Sequence, residues 1–310
     1  MSDGDAQRVL VIKLGALGNV VLSLGAFAAI RAHHAKAHIS LLTTAPFAGW
    51  LAASPYFDNV LIDRRPSLWD LPGLLKLRRI LADGRFDRVY DLQTSGRSSR
   101  YLRLFPVAAR PEWSGIALGA SHPDRNPKRN TLHDLERQEI QLQQAGIPHV
   151  PPPDLSWCRG NAARFGLPTG YVLLVPGSSA HRPEKRWPVA AYRRLAGLLA
   201  EQGLHPVVLG SAGEQALARD IQPAINLTGQ TDFGDLCDLA RGARCAVGND
   251  TGPMHLIAAA GCPSVVLFSR ASDPALCAPR GRSVTVLRRL DLADLDVRNV
   301  LAGLPALADA

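Results

Sequence analysis

The sequence lacks the signatures of several classes of protein. Its five cysteines form no C-x-x-C pair, which disfavours a zinc site or a disulfide framework and is typical of a reduced cytoplasmic protein. The dinucleotide fingerprint G-x-G-x-x-G and the P-loop G-x-x-x-x-G-K-S/T are both absent, which disfavours a dehydrogenase or an ATPase. No uninterrupted apolar run reaches the length that crosses a bilayer, so the chain is expected to be soluble.

The composition indicates a globular chain with anionic partners. Apolar residues make up 46% of the 310 residues, which is enough to build two domain cores. The formal net charge of +8 favours nucleotide phosphates, nucleic acid or an acidic membrane surface as partners. Because the basic residues are spread along the chain without interleaved aromatics, nucleic acid is the least favoured of the three.

Strand and helix patterns alternate along both halves of the chain, which predicts an α/β fold with doubly wound parallel sheets. The predicted strands are 8–14, 39–43, 59–62, 88–92, 171–175, 206–209, 245–247, 264–268 and 283–287. The longer predicted helices are 20–33, 71–81, 131–145, 187–202, 232–241, 253–260 and 295–304. Residues 121–130 are polar and predict an exposed loop.

A proline-rich stretch separates the two halves. Residues 147–153 contain four prolines and predict a stiff linker, so the predicted domains are 1–150 and 151–310. Two parallel α/β domains would leave a cleft at the carboxyl ends of their strands, where such sheets bind ligands.

The segment 245–260 predicts a strand, a tight turn and a helix. Pro253 fits the first helical position, and Asp250 or Thr251 can cap the helix. The amide groups of a helix N-terminus form a site for an anion, above all a phosphate, and Gly252 lets a ligand approach the backbone. The same residues also fit an ordinary capped helix, so the pattern alone leaves both interpretations open.

Two further features point to anion binding. The polar loop 177–188 follows a predicted strand and holds Ser178, Ser179 and three fixed cations, a set that suits a diphosphate. Lys13 lies near the carboxyl end of an apolar strand, where it either reaches water or binds an anion.

The chain resembles the family 9 glycosyltransferases, whose best-known members are the lipopolysaccharide heptosyltransferases. The likeness is carried by K-L-G-A-L-G-N-V from Lys13, by the loop 176–188, and by N-D-T-G-P-M-H from Asn249, in order and spacing across nearly the full length. The resemblance implies a GT-B architecture of two Rossmann-like domains. It also implies inverting, metal-independent transfer from a nucleotide sugar, typically ADP-heptose, with no further cofactor.

The resemblance also implies roles for particular residues. Those expected on the donor side, including the diphosphate, ribose and sugar contacts, are Ser178, Ser179, Lys185, Glu214, Asp250, Thr251, Gly252 and His255. Lys185 would neutralise the leaving phosphate, which explains how the reaction could proceed without a metal. His255 also fits a packed core position. Those expected on the acceptor side are Lys13, Gly18, Asp91 and Gln93.

Asn19 departs from the family pattern. Family members usually carry Asp there, as the base that deprotonates the acceptor hydroxyl, and Asn cannot act as a general base. The protein could be a slow enzyme, or use another base such as Asp91 or a histidine. It could be a binding protein without turnover, or carry an engineered change. Asn19 also fits a helix cap after Gly18.

The implied partners are a nucleotide sugar and an anionic glycolipid, the growing lipopolysaccharide core, met by peripheral contact with the cytoplasmic face of the inner membrane. Arg97, Arg100 and Arg103 predict one helical stripe, which either is solvated or meets an anionic acceptor or lipid. A non-catalytic nucleotide-sugar or glycolipid binding protein is the main alternative function. A sugar-nucleotide epimerase on the same fold is a third.

Overall fold

A computed structural model describes residues 6–179 and 181–305, and the chain divides into two units between Pro153 and Asp154. Each unit is built on a parallel β-sheet with helices, as the alternating pattern predicts.

The first unit, up to Pro153, carries strands with alternating helices. In the part that the structure describes, the strands are β1 (Arg8–Ile12), β2 (His38–Thr43), β3 (Asn59–Ile62), β4 (Arg88–Asp91), β5 (Glu112–Gly115) and β6 (His122–Pro123). The helices are α1 (Leu17–Leu22), α2 (Leu24–His33), α3 (Ala45–Ala52), α4 (Leu71–Asp83), α5 (Gly96–Arg100) and α6 (Asp134–Gln144). The sheet order is β3-β2-β1-β4-β5-β6, all parallel.

The predicted helix 20–33 is two helices in the structure. α1 ends at Leu22 and α2 begins at Leu24, with Ser23 between them. The Ser23 hydroxyl donates to the backbone oxygen of Asn19 at 2.8 Å, a bond that competes with regular helix geometry. Asn19 therefore lies inside α1, and Ala16 is the N-cap, so the prediction that Asn19 caps the helix is wrong.

The second unit repeats the arrangement. Its described strands are β7 (Tyr171–Val175), β8 (His205–Val208), β9 (Ile225–Asn226), β10 (Cys245–Asn249), β11 (Ser264–Phe268) and β12 (Val284–Arg288). The helices are α7 (Val189–Glu201), α8 (Gln215–Arg219), α9 (Phe233–Gly242), α10 (Gly252–Ala259), α11 (Pro274–Cys277) and α12 (Val297–Ala302). The sheet order is β12-β11-β10-β7-β8-β9, again parallel.

The centre of this second sheet positions the candidate donor residues. β7 and β10 are fully buried neighbours, with Val175 paired to Gly248. Parallel neighbours end at the same edge of the sheet, so the polar loop after β7 and the Asp250 turn after β10 emerge side by side. Trp187, at the far end of that loop, is 1% exposed and packs in the hydrophobic core of the unit.

Candidate functional site

The turn after β10 leads directly into α10. Thr251 is the N-cap residue, as predicted, and Pro253 lies in the first turn. The Thr251 side chain makes no capping hydrogen bond, and the Asp250 carboxylate bonds elsewhere, so the predicted side-chain cap is wrong. The first-turn amides are thus not satisfied by a capping side chain, and such amides suit an anion.

Lys185 and Asp250 form an ion pair at this helix N-terminus. Lys185 Nζ lies 2.5 Å from Asp250 Oδ2, and the Ser272 hydroxyl donates to the same oxygen at 2.5 Å. Asp250 is only 7% exposed, so the pair is strongly shielded from water. The structure therefore brings the Lys185 ammonium, which was expected to neutralise the leaving phosphate, to the turn at Asp250 that was expected to bind phosphate. Ser272 was not predicted, because it follows β11 and nothing in its local sequence marks it.

A buried amide joins the loop after β7 to β10. Asn249 Oδ1 accepts from the amide of Trp187 at 3.0 Å, and Asn249 Nδ2 donates to the carbonyl of Pro176 at 2.7 Å. Asn249 is 0% exposed. One side chain thus fixes both ends of the loop that carries Ser178 and Lys185. Sequence reasoning included Asn249 in the motif but gave it no role.

The two serines of this loop differ in their surroundings. Ser178 is buried, and its hydroxyl donates to the carbonyl of Arg182 at 3.1 Å and accepts from Arg186 Nε at 3.1 Å. Ser179 is exposed. In this conformation the Ser178 hydroxyl stabilises its own loop, whereas the Ser179 hydroxyl faces solvent.

Glu214 lies against the same loop. A Cβ atom placed on Gly177 would come within 1.7 Å of Glu214 Oε1, so any other residue here would displace the Glu214 carboxylate. Glu214 Oε2 accepts from the amide and the hydroxyl of Ser211, at 2.7 and 2.8 Å. The carboxylate predicted for the ribose is therefore held beside the loop predicted for the diphosphate. His255 is buried on the first turns of α10, at 6% exposure, as a packed residue would be.

The first unit contains a small polar cavity of about 140 Å³. It is lined by Lys13, Asn19, Leu92, Gln93, Thr94, Arg129, Asp134, Arg137 and Gln138. Three of the residues predicted around the acceptor, Lys13, Asn19 and Gln93, thus share one cavity. Gln93 Oε1 accepts from the amide of Leu14 at 2.8 Å, which ties the cavity wall to the end of the first strand.

Among the residues that line this cavity, Lys13 has the pKa that is shifted furthest from its ordinary value. It is 5% exposed, and its ammonium donates to the carbonyl of Leu92 at 2.9 Å. Burial lowers the pKa of Lys13 to about 8, partly offset by the carboxylates of Asp134 and Asp91. A buried ammonium that retains unused donors is suited to an anionic ligand.

Asp91 and Gly18, which were also expected on the acceptor side, are not among the residues that line this cavity. Asp91 is 0% exposed, and its Oδ1 accepts from the amide of Thr94 at 3.0 Å. Burial raises the pKa of the Asp91 carboxyl to about 6. Because it ends β4 with its carboxyl inside the protein, Asp91 supports the turn that follows the strand. Gly18 is buried within α1.

Three charged cavity residues were not predicted. Arg129 lies in the segment expected to be an exposed loop, and its guanidinium bonds to Asp124 and Thr94, both at 2.6 Å. Asp134 begins α6 and pairs with Arg137 at 2.6 Å. An acidic residue in a first helical turn is a common stabilising feature, so the sequence offered no reason to assign Asp134 to a site.

The residues that the structure describes were searched for metal-binding clusters and for membrane-spanning helices. Among residues 6–179 and 181–305, no cluster of three or more His, Cys, Asp or Glu side chains could bind a metal ion. Over the same residues, none of the helices has the length and apolar character needed to span a bilayer.

The two parallel sheets, one in each unit, and the similarity to a solved glycosyltransferase structure show a GT-B glycosyltransferase fold. The chain belongs to glycosyltransferase family 9 (heptosyltransferase), whose family model matches residues 74–299. This confirms the resemblance and the fold class inferred from the sequence.

Individual relatives agree with this assignment. Lipopolysaccharide heptosyltransferase 1 of Escherichia coli K12 is 30% identical, over 97% of this chain and all of that protein. Lipooligosaccharide heptosyltransferase 2 of Haemophilus ducreyi is 34% identical, but the match spans 41% of this chain and only 39% of that protein. The solved structure of the Escherichia coli ADP-heptose lipopolysaccharide heptosyltransferase II superimposes with a TM-score of 0.80, at 22% identity, over 97% of this chain and 98% of that one.

Proposed function

We propose that this protein transfers a heptose from ADP-heptose to a lipopolysaccharide-core acceptor, with inversion at the anomeric carbon and without a metal ion. The observation that carries the proposal is the Lys185–Asp250 ion pair at the N-terminus of α10. Membership of family 9 supports the reaction class, and the structural similarity to the Escherichia coli ADP-heptose lipopolysaccharide heptosyltransferase II supports ADP-heptose as the donor.

The donor chemistry follows from charge. As the acceptor oxygen bonds to the anomeric carbon, the bond from that carbon to the diphosphate oxygen breaks and its electron pair leaves with ADP. The Lys185 ammonium and the amides at Thr251 and Gly252 stabilise that developing charge. Asp250 carries the opposite charge, so we assign it to hydroxyl groups of the sugar rather than to phosphate. Ser178 and Ser179 complete the diphosphate contacts, and Glu214 accepts from the ribose.

The acceptor side is assigned to the cavity of the first unit. Lys13, Arg129 and Arg137 give it cationic walls, which suit an anionic glycolipid. The acceptor that the family implies supports a location at the cytoplasmic face of the inner membrane. The five cysteines are all free thiols, which fits a reducing compartment.

Calorimetric titration with ADP and ADP-heptose tests the donor assignment. Lys185→Ala removes a charge-assisted contact worth about 1.5–3 kcal/mol, so ADP should bind roughly 10- to 150-fold more weakly. Arg194→Ala is the matched control, because it removes an exposed cation from α7 in the same unit. Equal ADP affinity in wild type and Lys185→Ala would overturn the assignment.

Asn19 favours one alternative, a protein that binds nucleotide sugar or glycolipid without turnover. An amide in the acceptor cavity cannot accept the hydroxyl proton. Transfer by wild type and by Asn19→Asp separates the two functions. Binding of ADP-heptose without transfer, followed by transfer in Asn19→Asp, would establish the alternative.

A further inference from the structure

Large apolar side chains face solvent on one side of the first unit. Trp69 is 93% exposed, and Leu68, Leu71 and Leu75 are 64%, 66% and 63% exposed. We call these four residues the Trp69 surface. They lie in the segment after β3 and on the first turns of α4. Isolated exposed apolar residues are ordinary, whereas a contiguous group marks an interaction site.

The Trp69 surface is separate from the core that α4 helps to build. α4 buries Leu77 and Leu81, which are four residues apart and share one face of the helix. Leu71 and Leu75 are also four residues apart and share a different face, which is exposed. The helix therefore carries one apolar face for the core and a second one that the described residues leave uncovered.

Exposed cations outnumber carboxylates in the sequence around the Trp69 surface. Residues 63–83 contain Arg64, Arg65, Lys76, Arg78 and Arg79 against Asp63, Asp70 and Asp83, and Arg79 pairs with Asp83 at 3.5 Å. Asp70 is the N-cap of α4 and accepts from the amide of Gly73 at 2.9 Å. Exposed apolar side chains in a cation-rich segment match the boundary of an anionic bilayer, where rings and aliphatic chains insert and cations meet lipid phosphates.

Arg65, four residues before Trp69, contacts a residue that borders the acceptor cavity. Arg65 donates to the carbonyl of Leu14 at 2.9 Å, and the amide of Leu14 donates to Gln93, which lines the cavity. Arg65 therefore ties the segment that precedes the Trp69 surface to the wall of the acceptor cavity.

We propose that the Trp69 surface docks the protein on anionic phospholipid, with Trp69 and the leucines inserted at the headgroup boundary. The inference rests on the proposed function only in that the acceptor is a membrane glycolipid. Vesicle binding requires no nucleotide, so its failure would leave the donor assignment standing.

Sedimentation with vesicles tests the docking. Vesicles of phosphatidylcholine with 30% phosphatidylglycerol should bind the wild-type protein at 50 mM salt, and pure phosphatidylcholine should bind it at least tenfold more weakly. Trp69→Ser should lower binding to the anionic vesicles at least tenfold, and an Arg78→Glu/Arg79→Glu double substitution should do the same and reduce the salt dependence. Leu118→Ser is the control, because Leu118 is 89% exposed in the same unit outside this surface.

Three outcomes would overturn the docking proposal. The first is equal vesicle binding by wild type and Trp69→Ser, and the second is no binding of wild type to the anionic vesicles. The third is a wild-type dimer in sedimentation velocity that Trp69→Ser converts to monomer without any vesicle binding, because the surface would then meet a second copy of the chain.

A separate observation concerns the missing base. Asp134 is the carboxylate among the nine residues that line the acceptor cavity, and Asn19 lines the same cavity. Asp134 is partly exposed, unlike the enclosed Asp91. Its pairing with Arg137 at 2.6 Å holds the carboxylate at the first turn of α6.

We also propose that Asp134 accepts the proton of the acceptor hydroxyl, in place of the aspartate expected at position 19. The hydroxyl oxygen bonds to the anomeric carbon, its proton moves to a carboxylate oxygen of Asp134, and the electron pair of the broken bond leaves with ADP. This assignment rests on the proposed transfer reaction.

Transfer of heptose to heptose-deficient lipopolysaccharide tests this base. Asp134→Asn should lower kcat on the order of 100- to 10,000-fold while ADP-heptose affinity stays within about twofold of wild type. Asn19→Asp should restore transfer in the Asp134→Asn background, which a merely structural role for Asp134 would not allow. Glu139→Gln is the control, because Glu139 lies on the same helix and does not line the cavity.

The possible outcomes distinguish a wrong assignment of the base from a wrong assignment of the reaction. Transfer by Asp134→Asn within about threefold of wild type would overturn the base assignment alone. Binding of ADP-heptose by a wild-type protein that transfers nothing would overturn it in favour of the binding function. Absence of ADP-heptose binding would overturn the proposed function as well.

Discussion

Replacing Asn249 with alanine tests whether one buried amide holds the donor-side loop. The side chain is fully buried at the end of β10 and bonds the backbone at both ends of the loop from Pro176 to Trp187. The substitution removes these bonds while leaving both loop ends in the chain. We therefore expect a less stable second unit and a displaced loop.

The magnitude follows from the groups left without partners. Alanine orphans two buried backbone groups, the amide of Trp187 and the carbonyl of Pro176. The hydroxyl of Tyr192 loses Asn249 as well but keeps the carbonyl of Val175 at 3.2 Å. An orphaned buried polar group costs about 1–3 kcal/mol, so the free energy of unfolding should fall by about 2–6 kcal/mol.

Urea denaturation followed by circular dichroism measures the stability, and calorimetry measures ADP binding. We expect ADP affinity to fall at least tenfold in Asn249→Ala, because Ser178 and Lys185 lie on the displaced loop. Asn299→Ala, on the exposed side of α12, should unfold within about 0.5 kcal/mol of wild type. An Asn249→Ala protein that is equally stable and binds ADP equally well would refute this reasoning.

Three further predictions concern charge. Lys13→Met should raise the free energy of unfolding at pH 7 by about 1–3 kcal/mol and weaken acceptor binding. Because the pKa of Lys13 is lowered to about 8, the stability of the wild-type protein should rise between pH 8 and 10.5 and recover part of this difference. Urea denaturation of both proteins across this pH range measures the effect. Burial lowers the pKa of His34 to about 4, so wild-type stability should fall by about 2–3 kcal/mol between pH 6.5 and 4, and His34→Gln should remove that decline. Asp250→Ala should weaken ADP-heptose binding at least tenfold relative to ADP in calorimetry, whereas equal losses for both ligands would contradict a sugar contact.

Apolar, β-branched runs predicted several of the strands in full. The strands 59–62, 171–175 and 264–268 match β3, β7 and β11 residue for residue. β5 was missed because its sequence, E-W-S-G, has one large apolar residue and no run to detect, and β9 spans only two residues. The break at Ser23 was missed because the competing bond to the Asn19 carbonyl is a side-chain choice that periodicity does not encode.

The candidate site was partly predictable for a similar reason. Lys185 and Asp250 each follow a predicted parallel strand, and such strand ends meet at one edge of a sheet, so their proximity follows from the topology. Ser272 also follows a predicted strand, the neighbour of β10, but nothing in its local sequence distinguishes it from the other polar residues of that loop. Asp134 begins a helix and follows no strand, so the strand-end argument does not reach it. Asp91 was assigned to the acceptor side from the family resemblance, which carries no information on how deeply its carboxyl is buried.

The amide at Asn249 also has an electrostatic consequence, which gives a last prediction. An amide donates and accepts without charge, so Asn249 fixes the loop and adds no charge beside the proposed diphosphate. Asn249→Asp keeps the shape and the acceptor for Trp187 but places a titratable group there. As the pH rises, the new carboxyl ionises and repels the diphosphate, so ADP binding by Asn249→Asp should weaken with rising pH. Asn249→Ala should show no such dependence beyond that of wild type, and parallel pH profiles of the two variants would show that charge at this position does not matter.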